Sequence, residues 1–356
     1  MKTYRVGLIG TGSIATGVHI PGILSCPNLE LVAICDSNPE ALEETSKKFG
    51  ISKEYCFTNY QDLIACPEVD AIDITTSNDA HFEIAMAAVA AKKPYALEKP
   101  VTLNKADAAI LADATAKAGL ANMVCFSYRF IPAARYAKDI IQRGLLGKLH
   151  HINMQYLQAW GNLDIPMRWR FQKALAGSGV LGDLGCHAID LVRFITEKEY
   201  TAVCGQATTI TKMRKLPDGE GEGEGVVDVD DVCNYMADME DGLSATFQAS
   251  RFSYGRGNYQ RLEIYGSKGA LVYALDEEPH KNTLSICMGE PMRETNTFTK
   301  LPIPGKHHTN QSQAFADILN GVGDGLSATI QDGYKNQIVL DAILASVENK
   351  NWIAIN

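Results

Sequence analysis

With 356 residues, 46% hydrophobic and 21% charged, the chain has the composition of an average globular protein and is too long for one ordinary core, so two domains are expected. A net charge of −9 with no basic cluster argues against nucleic acid or an anionic membrane surface as a partner. No apolar run reaches the length of a bilayer span, and Met1-Lys2-Thr3-Tyr4-Arg5 leads directly into a strand-like run without a signal-peptide pattern, so a cytoplasmic protein is expected.

Short apolar runs alternate with helix-period segments through residue 126. Arg5–Ile9 reads as a strand, Ser13–Leu24 as a helix, Leu29–Cys35 as a strand and Pro39–Phe49 as a helix. Ala71–Thr75, Pro94–Leu97 and Asn122–Phe126 read as further strands, separated by helices over Asp79–Ala91 and Lys105–Ala118. Strands separated by helices imply right-handed crossovers and a doubly wound parallel sheet covered on both faces. Residues 1–126 are thus expected to be a Rossmann-type α/β domain.

The pattern then changes. A helix over Ala133–Arg143 and a strand over Leu149–Gln158 lead to a glycine-rich helix, followed by strands with two-residue alternation at Thr201–Thr211, Asp231–Met239, Leu243–Arg251, Gln260–Tyr265 and Ala270–Ala274. Turn signals at Glu240-Asp241-Gly242 and Gly266-Ser267-Lys268-Gly269 suggest hairpins. Residues 127–356 are expected to form an α+β domain with a large, mostly antiparallel open sheet that binds substrate and mediates a homodimer or homotetramer. Pro217–Gly225, with its alternating Gly and Glu, reads as a mobile solvated loop. Nine scattered cysteines, an odd number without a Cys-x-x-Cys pair, read as reduced, core-filling thiols.

The first strand runs into Gly10-Thr11-Gly12-Ser13-Ile14-Ala15, a G-x-G-x-x-A turn opening a helix. Gly10 permits the tight turn, Gly12 allows backbone to approach a pyrophosphate, and Ala15 allows close helix–strand packing. About two dozen residues further on, Asp36 ends the second strand, where a carboxylate accepts hydrogen bonds from ribose hydroxyls. It would repel a 2′-phosphate, and Ser37-Asn38-Pro39 supplies no Arg, so NAD is expected over NADP. The competing reading of Asp36 is a helix N-cap. Thr76, Asn78, Glu98 and Lys99 arrive at the same carboxyl edge. His81 either reaches the cofactor or packs its own helix.

Oxidation of an alcohol needs a base for the hydroxyl proton as hydride leaves carbon. Lys99, in Glu98-Lys99-Pro100 at a strand end, suits that task because a desolvated lysine shifts its pKa readily. The alternative is a surface Glu-Lys pair before a helix. In the stretch Gly177–Asp190, glycines inside a helix cost about 1 kcal/mol each relative to Ala, which suggests close approach by a ligand or another backbone at Gly182 and Gly185. On a regular helix, Asp183, His187 and Asp190 share a face. His187 can then shuttle a proton while Asp183 orients it, with Asp190 structural. The spacing would also suit a metal, but no third ligand is evident, and none is expected.

These motifs together resemble the glucose–fructose oxidoreductase, inositol dehydrogenase and rhizopine catabolism (Gfo/Idh/MocA) family. The resemblance spans nearly the whole chain, including Tyr128-Arg129-Phe130-Ile131-Pro132, Trp169-Arg170 and Tyr265-Gly266-Ser267-Lys268-Gly269. It implies a catalytic lysine at Lys99, an acid/base pair at Asp183 and His187, and Trp169 and Arg170 near the nicotinamide. Ser127 departs from the Asn of many members, which puts one cofactor or substrate contact in question. The tail of the second domain is most similar to members acting on pyranoses and inositols, levoglucosan dehydrogenase-like enzymes among them. Tyr128, Arg129, Trp160, Arg168 and Arg251 are candidate substrate contacts. The expected activity is NAD-dependent dehydrogenation of a sugar, anhydrosugar or cyclic polyol. The competing readings are a redox-assisted glycosidase or epimerase with tightly held NAD, and a non-catalytic NAD-binding regulator.

Overall fold

The five apolar runs of the first half become β1 (Tyr4–Ile9), β2 (Leu29–Cys35), β4 (Ala71–Ile74), β5 (Tyr95–Leu97) and β6 (Asn122–Val124), and the dipeptide Cys56–Phe57 adds a short β3. They pair in the order β3-β2-β1-β4-β5-β6, every pair parallel. Val6, Leu8, Ala33, Ile34, Ile72, Ile74 and Leu97 are fully buried, as expected of strands covered on both faces. The winding direction reverses between β1 and β4, which creates a crevice at their carboxyl ends where ligands bind in such sheets.

The structure, a computed structural model, describes residues 1–162, 165–217, 223–277, 281–289 and 297–355. They group into two compact units, Met1–Ser127 with Thr309–Gln337, and Tyr128–His308 with Ile338–Asn356. Two helices of the first unit have the boundaries read from sequence because both ends carry capping chemistry. Asn38 Oδ1 accepts from Glu40 N and Ala41 N at the start of Pro39–Phe49, and Gly50 ends it at φ 73°. Asn104 and Gly119, the latter at φ 63°, do the same for Lys105–Ala118. The two-residue β3 and the helix Tyr60–Ala65 escape the sequence reading, being too short to display a period.

The second unit holds a nine-stranded mixed sheet. Its strands are β7 (Leu149–Leu157), β8 (Tyr200–Thr208), β11 (Val232–Met239), β12 (Leu243–Ser250), β13 (Tyr259–Gly266), β14 (Gly269–Leu275), β15 (Asn282–Met288), β16 (Thr299–Lys300) and β17 (Ile353–Ala354), in the order β16-β15-β14-β13-β7-β12-β11-β8-β17. Both hairpins marked by turn signals form, β11 with β12 and β13 with β14. β7 inserts between β12 and β13 and runs parallel to β12, the one parallel pair among the described strands of this sheet. The helix Cys186–Thr196 packs on β7 and on the helix Pro132–Gln142, and all eleven of its residues are buried. That burial explains why Lys173–Thr196 has the length and hydropathy of a membrane span: 78% of its most apolar window lies inside the protein.

Part of the proposed Pro217–Gly225 loop is strand instead. A separate hairpin pairs β9 (Met213–Lys215) with β10 (Glu224–Val226), so Glu224 and Gly225 carry ladder hydrogen bonds. Asp218–Glu222 lie outside the described residues. All nine cysteines are free, six of them buried.

Candidate active site

Three loops leave neighbouring carboxyl ends of β1, β4 and β5. Gly10 follows β1 with φ 97°, and a Cβ there would stand 2.7 Å from Thr76 N and 2.8 Å from Thr75 O. Its N–H donates to Cys35 O and its carbonyl accepts from Thr75 Oγ1, each tying β1 to a neighbouring strand end. Only glycine fits. Gly12 differs: it is exposed, and a Cβ would meet nothing within 4 Å. Packing within the chain does not require glycine at 12, whereas a pyrophosphate lying on the backbone does. Ser13 is exposed beside it, Ile14 is half-buried, and Ala15 is fully buried against the sheet.

Asp36 organises this loop from the next strand. Its Oδ2 accepts from Thr11 N at 2.7 Å and Thr11 Oγ1 at 2.8 Å, and its Oδ1 accepts from Asn38 N at 2.9 Å. The helix that follows is capped by Asn38, so the N-cap reading of Asp36 gives way to a loop-anchoring one. The carboxylate stays half-exposed, and Oδ1 retains capacity for a hydroxyl donor. Thr76 Oγ1 is buried with no hydrogen-bond partner among the described residues, the kind of orphan that a bound ligand satisfies. Asn78 begins the next helix and is 8% exposed. An open Gly12 backbone, a half-exposed Asp36 and an orphaned Thr76 hydroxyl fit a dinucleotide.

His81 is not part of that contact surface. It is fully buried, with Nδ1 2.8 Å from Pro100 O and Nε2 3.2 Å from Thr76 O. Burial lowers its pKa against the pull of those carbonyls. The neutral ring donates from one nitrogen, and the shorter contact to Pro100 O takes that proton. His81 therefore clamps the turn after Lys99. Lys99 itself is half-buried, its N–H donates to Glu98 Oε2 at 3.2 Å, and the Lys99–Pro100 bond is cis.

In the second unit, the glycine-rich segment is not a regular helix. Leu181–Gly185 is a π-turn that passes into the α-helix Cys186–Thr196, so the even angular spacing assumed for Asp183, His187 and Asp190 does not apply. The glycines answer to their own neighbours rather than to a ligand. A Cβ on Gly182 would meet Ser178 Oγ at 2.6 Å, one on Gly185 would meet Leu181 Cδ1 at 2.9 Å, and one on Gly179 would meet Asp230 O at 1.9 Å. Asp230, unremarked in the sequence, anchors the segment: its carboxylate accepts from Gly179 N and Leu181 N, and its carbonyl from Val180 N. Burial raises its pKa, opposed by those amide donors.

Asp183 lies 3.8 Å from Arg170 Nε, whose guanidinium stacks 4.2 Å over the Trp169 ring. The His187 ring meets Tyr128 edge-on at 4.7 Å. The Tyr128 and Tyr156 hydroxyls lie against each other and both reach Asn258 Oδ1, at 2.9 and 2.7 Å. With one proton apiece, one of them can donate to the other only by giving up its bond to Asn258, which also accepts from Gln158 Nε2 at 2.8 Å. Tyr156, Gln158 and Asn258 were missed because their association depends on β7 lying beside β13. Arg168 is exposed. Three other candidates have ion-pair or packing partners within the chain. Arg129 makes a buried two-point pair with Asp190 at 2.8 and 2.6 Å, Arg251 pairs with Asp231 with both fully buried, and Trp160 packs on Phe171. Asp190 is 1% exposed, with both carboxylate oxygens on Arg129.

A doubly wound parallel sheet with an open glycine loop at its switch point belongs to the dinucleotide-binding class of folds. Comparison with known proteins sharpens this. The model of the oxidoreductase family with an NAD-binding Rossmann fold matches residues 4–126, and that of the GFO/IDH/MocA C-terminal domain matches residues 134–272. The chain belongs to the Gfo/Idh/MocA family of NAD-binding oxidoreductases. It is 30% identical to levoglucosan dehydrogenase of Pseudarthrobacter phenanthrenivorans over 100% of this chain and 99% of that protein. It is 28% identical to myo-inositol 2-dehydrogenase of Thermotoga maritima over 75% of this chain and 74% of that one. Among solved structures, levoglucosan dehydrogenase in complex with NADH and L-sorbose matches with a TM-score of 0.89, 28% identity and 99% of each chain covered. The chain is thus an NAD-binding oxidoreductase whose relatives include dehydrogenases named for a sugar derivative and an inositol.

Proposed function

We propose that the protein oxidises one hydroxyl of a cyclic sugar, anhydrosugar or inositol-like polyol, with NAD held on Gly10–Ile14, Asp36, Thr76 and Asn78. The observation that carries this reading is the position of Lys99, one strand from the orphaned Thr76 hydroxyl and two from the open Gly12 loop. NAD supplies the hydride-accepting carbon when bound there. Lys99 accepts and passes on the substrate hydroxyl proton. His187 and Asp183, the latter 3.8 Å from Arg170 Nε, bind and orient substrate hydroxyls. Self-association through the open sheet face that carries Asn153, Gln155, Thr246 and Gln248, and a cytoplasmic setting suited to nine free thiols, belong to the same reading.

The direct test is NADH formation by absorbance against inositols, pyranoses and anhydrosugars, with NAD and NADP in parallel. Turnover with NAD on a cyclic polyol or sugar supports the reading. NADH binding without turnover on any of them would favour a tightly held, redox-assisted cofactor or a regulator.

Asp36 gives a second expected result. Asp36→Ser removes the anchor of Thr11 and the acceptor facing the ribose, so NADH affinity should fall about tenfold, the equivalent of one charged hydrogen bond. Discrimination against NADPH should shrink at the same time. Fluorescence titration with both reduced cofactors reads both, and an unchanged ratio would remove Asp36 from cofactor selection.

A further inference from the structure

The helix after the glycine loop contains a π-turn, Ala15–His19, in which Ile20 N donates five residues back to Ala15 O. Pro21 follows and has no N–H to continue a regular ladder. The widened turn ends at His19, which is 4% exposed. Its Nδ1 lies 2.8 Å from Asp73 Oδ2 on β4, and its Nε2 lies 3.0 Å from Glu98 Oε1, the residue after β5. One side chain from behind β1 therefore reaches the two neighbouring strands, and it grips the glutamate that precedes Lys99.

An imidazole with acceptors at both nitrogens makes both hydrogen bonds only as imidazolium. The side chains of His19 and Asp73 are 3% and 6% exposed, and that of Glu98 is 12% exposed. Burial by itself lowers the His19 pKa, but the Asp73 and Glu98 carboxylates outweigh it and hold the pKa up at about 10. Cys125, after β6, completes a set with His19 and Asp73 whose donor atoms lie within 4.8 Å of one another. A metal would have to displace a proton from His19. With both ring nitrogens already on carboxylates and the Cys125 thiol held protonated by burial, the proton is the better occupant.

We propose that His19, bridging Asp73 and Glu98, is the positioning residue for Lys99: it fixes the Glu98 side chain and balances its charge, so that the lysine next to it can release a proton. This rests on the reading of Lys99 as the group that takes the hydroxyl proton. His81, holding Pro100 O from the other side, completes a two-histidine clamp on the Glu98-Lys99-Pro100 turn. The charged and titratable groups facing His19 are Asp73, Glu98 and Cys125, and no basic side chain among the described residues is placed against it by the hydrogen bonds or ion pairs of this cluster. Without the imidazolium, Glu98 loses the cation 3.0 Å from its Oε1, and its negative charge weighs more on Lys99, favouring the ammonium form.

The test is a pair of substitutions read by kcat, KM for NAD and the pH profile. In His19→Asn the amide occupies the place of Nδ1 and keeps only Asp73. In His19→Gln it occupies the place of Nε2 and keeps Glu98. We expect His19→Asn to lose kcat about tenfold or more with little change in KM for NAD. The limb of the profile that reports Lys99 deprotonation should move up by about one pH unit in both variants, because neither restores the charge. His19→Gln should recover part of kcat, because it restores the hold on Glu98. Equal losses in the two variants accompanied by lost NADH binding and lost thermal stability, or an unmoved pH limb, would overturn the proposal. If neither variant folds, ¹⁵N shifts of the wild-type imidazoles decide: an imidazolium persisting at pH 9 supports it, and a neutral ring at pH 7 overturns it. Lys99→Met separates this inference from the reading beneath it. Turnover retained in Lys99→Met sinks the assignment of the base, whereas a dead Lys99→Met with unaltered His19 variants sinks the positioning role alone.

Discussion

Lys99→Met is expected to lose between about a hundredfold and ten-thousandfold in kcat, the range associated with removing a positioned acid–base group, while NADH titration and thermal stability stay near wild type. Methionine keeps most of the length and apolar volume of the lysine stem, so the half-buried site stays filled and only the ammonium is lost. The backbone of the turn does not depend on that ammonium. The Lys99 N–H bonds Glu98 Oε2, and His81 holds Pro100 O. Lys99→Arg is the informative companion. Guanidinium keeps the positive charge but does not deprotonate at working pH, so it should be nearly as inactive as Met if Lys99 moves a proton. An Arg variant with most of its turnover would mean that Lys99 acts by charge alone.

The first unit was legible in the sequence because its signals are local. Asn38, Gly50, Asn104 and Gly119 are capping residues that define their helix ends without help from the rest of the chain. The turn at Gly10 is similarly self-declaring, since its positive φ and the approach of Thr75 and Thr76 leave no room for a side chain. The roles of buried polar groups were not legible, because they depend on partners from distant segments. His81 looked like a possible ligand contact until its two carbonyl partners were in place, and His19 carried no motif at all. The bridge from His19 to Asp73 and Glu98 exists only once β1, β4 and β5 are adjacent.

The glycine-rich segment shows a different limit. Reading Gly182 and Gly185 as making room for a ligand or another backbone assumed a regular helix, yet the π-turn folds the segment onto Ser178 and Leu181, and those side chains take the space. The sheet of the second unit misled in a milder way. Alternation identified its central strands, but nothing local reveals that β7 returns to lie parallel to β12. The Tyr128, Tyr156 and Asn258 cluster next to His187 follows from the other neighbour of β7, β13, whose first residue follows Asn258.

Arg251→Met should destabilise the protein by about 3–5 kcal/mol, as expected when one member of a buried ion pair is removed and the other charge is left behind. Arg251 and Asp231 side chains are both 0% exposed, joined at 2.7 Å between Nε and Oδ1. The guanidinium also lies 4.6 Å from the Phe171 ring and 5.3 Å from that of Trp160, so its loss opens an apolar wall as well. Asp231 has a second task, because its Oδ2 accepts from Ile210 N at 2.7 Å and Thr211 N at 3.1 Å. A double replacement by apolar residues, often neutral for isolated buried pairs, should therefore not be neutral here, since it orphans two backbone amides. Asp231→Asn with Arg251→Met keeps an acceptor for those amides and removes both charges, and it should recover part of the loss. Chemical denaturation at constant pH measures all three variants. A cost below about 1 kcal/mol for Arg251→Met would mean that water reaches Asp231 once the arginine is gone, and that the pair contributes little to this core.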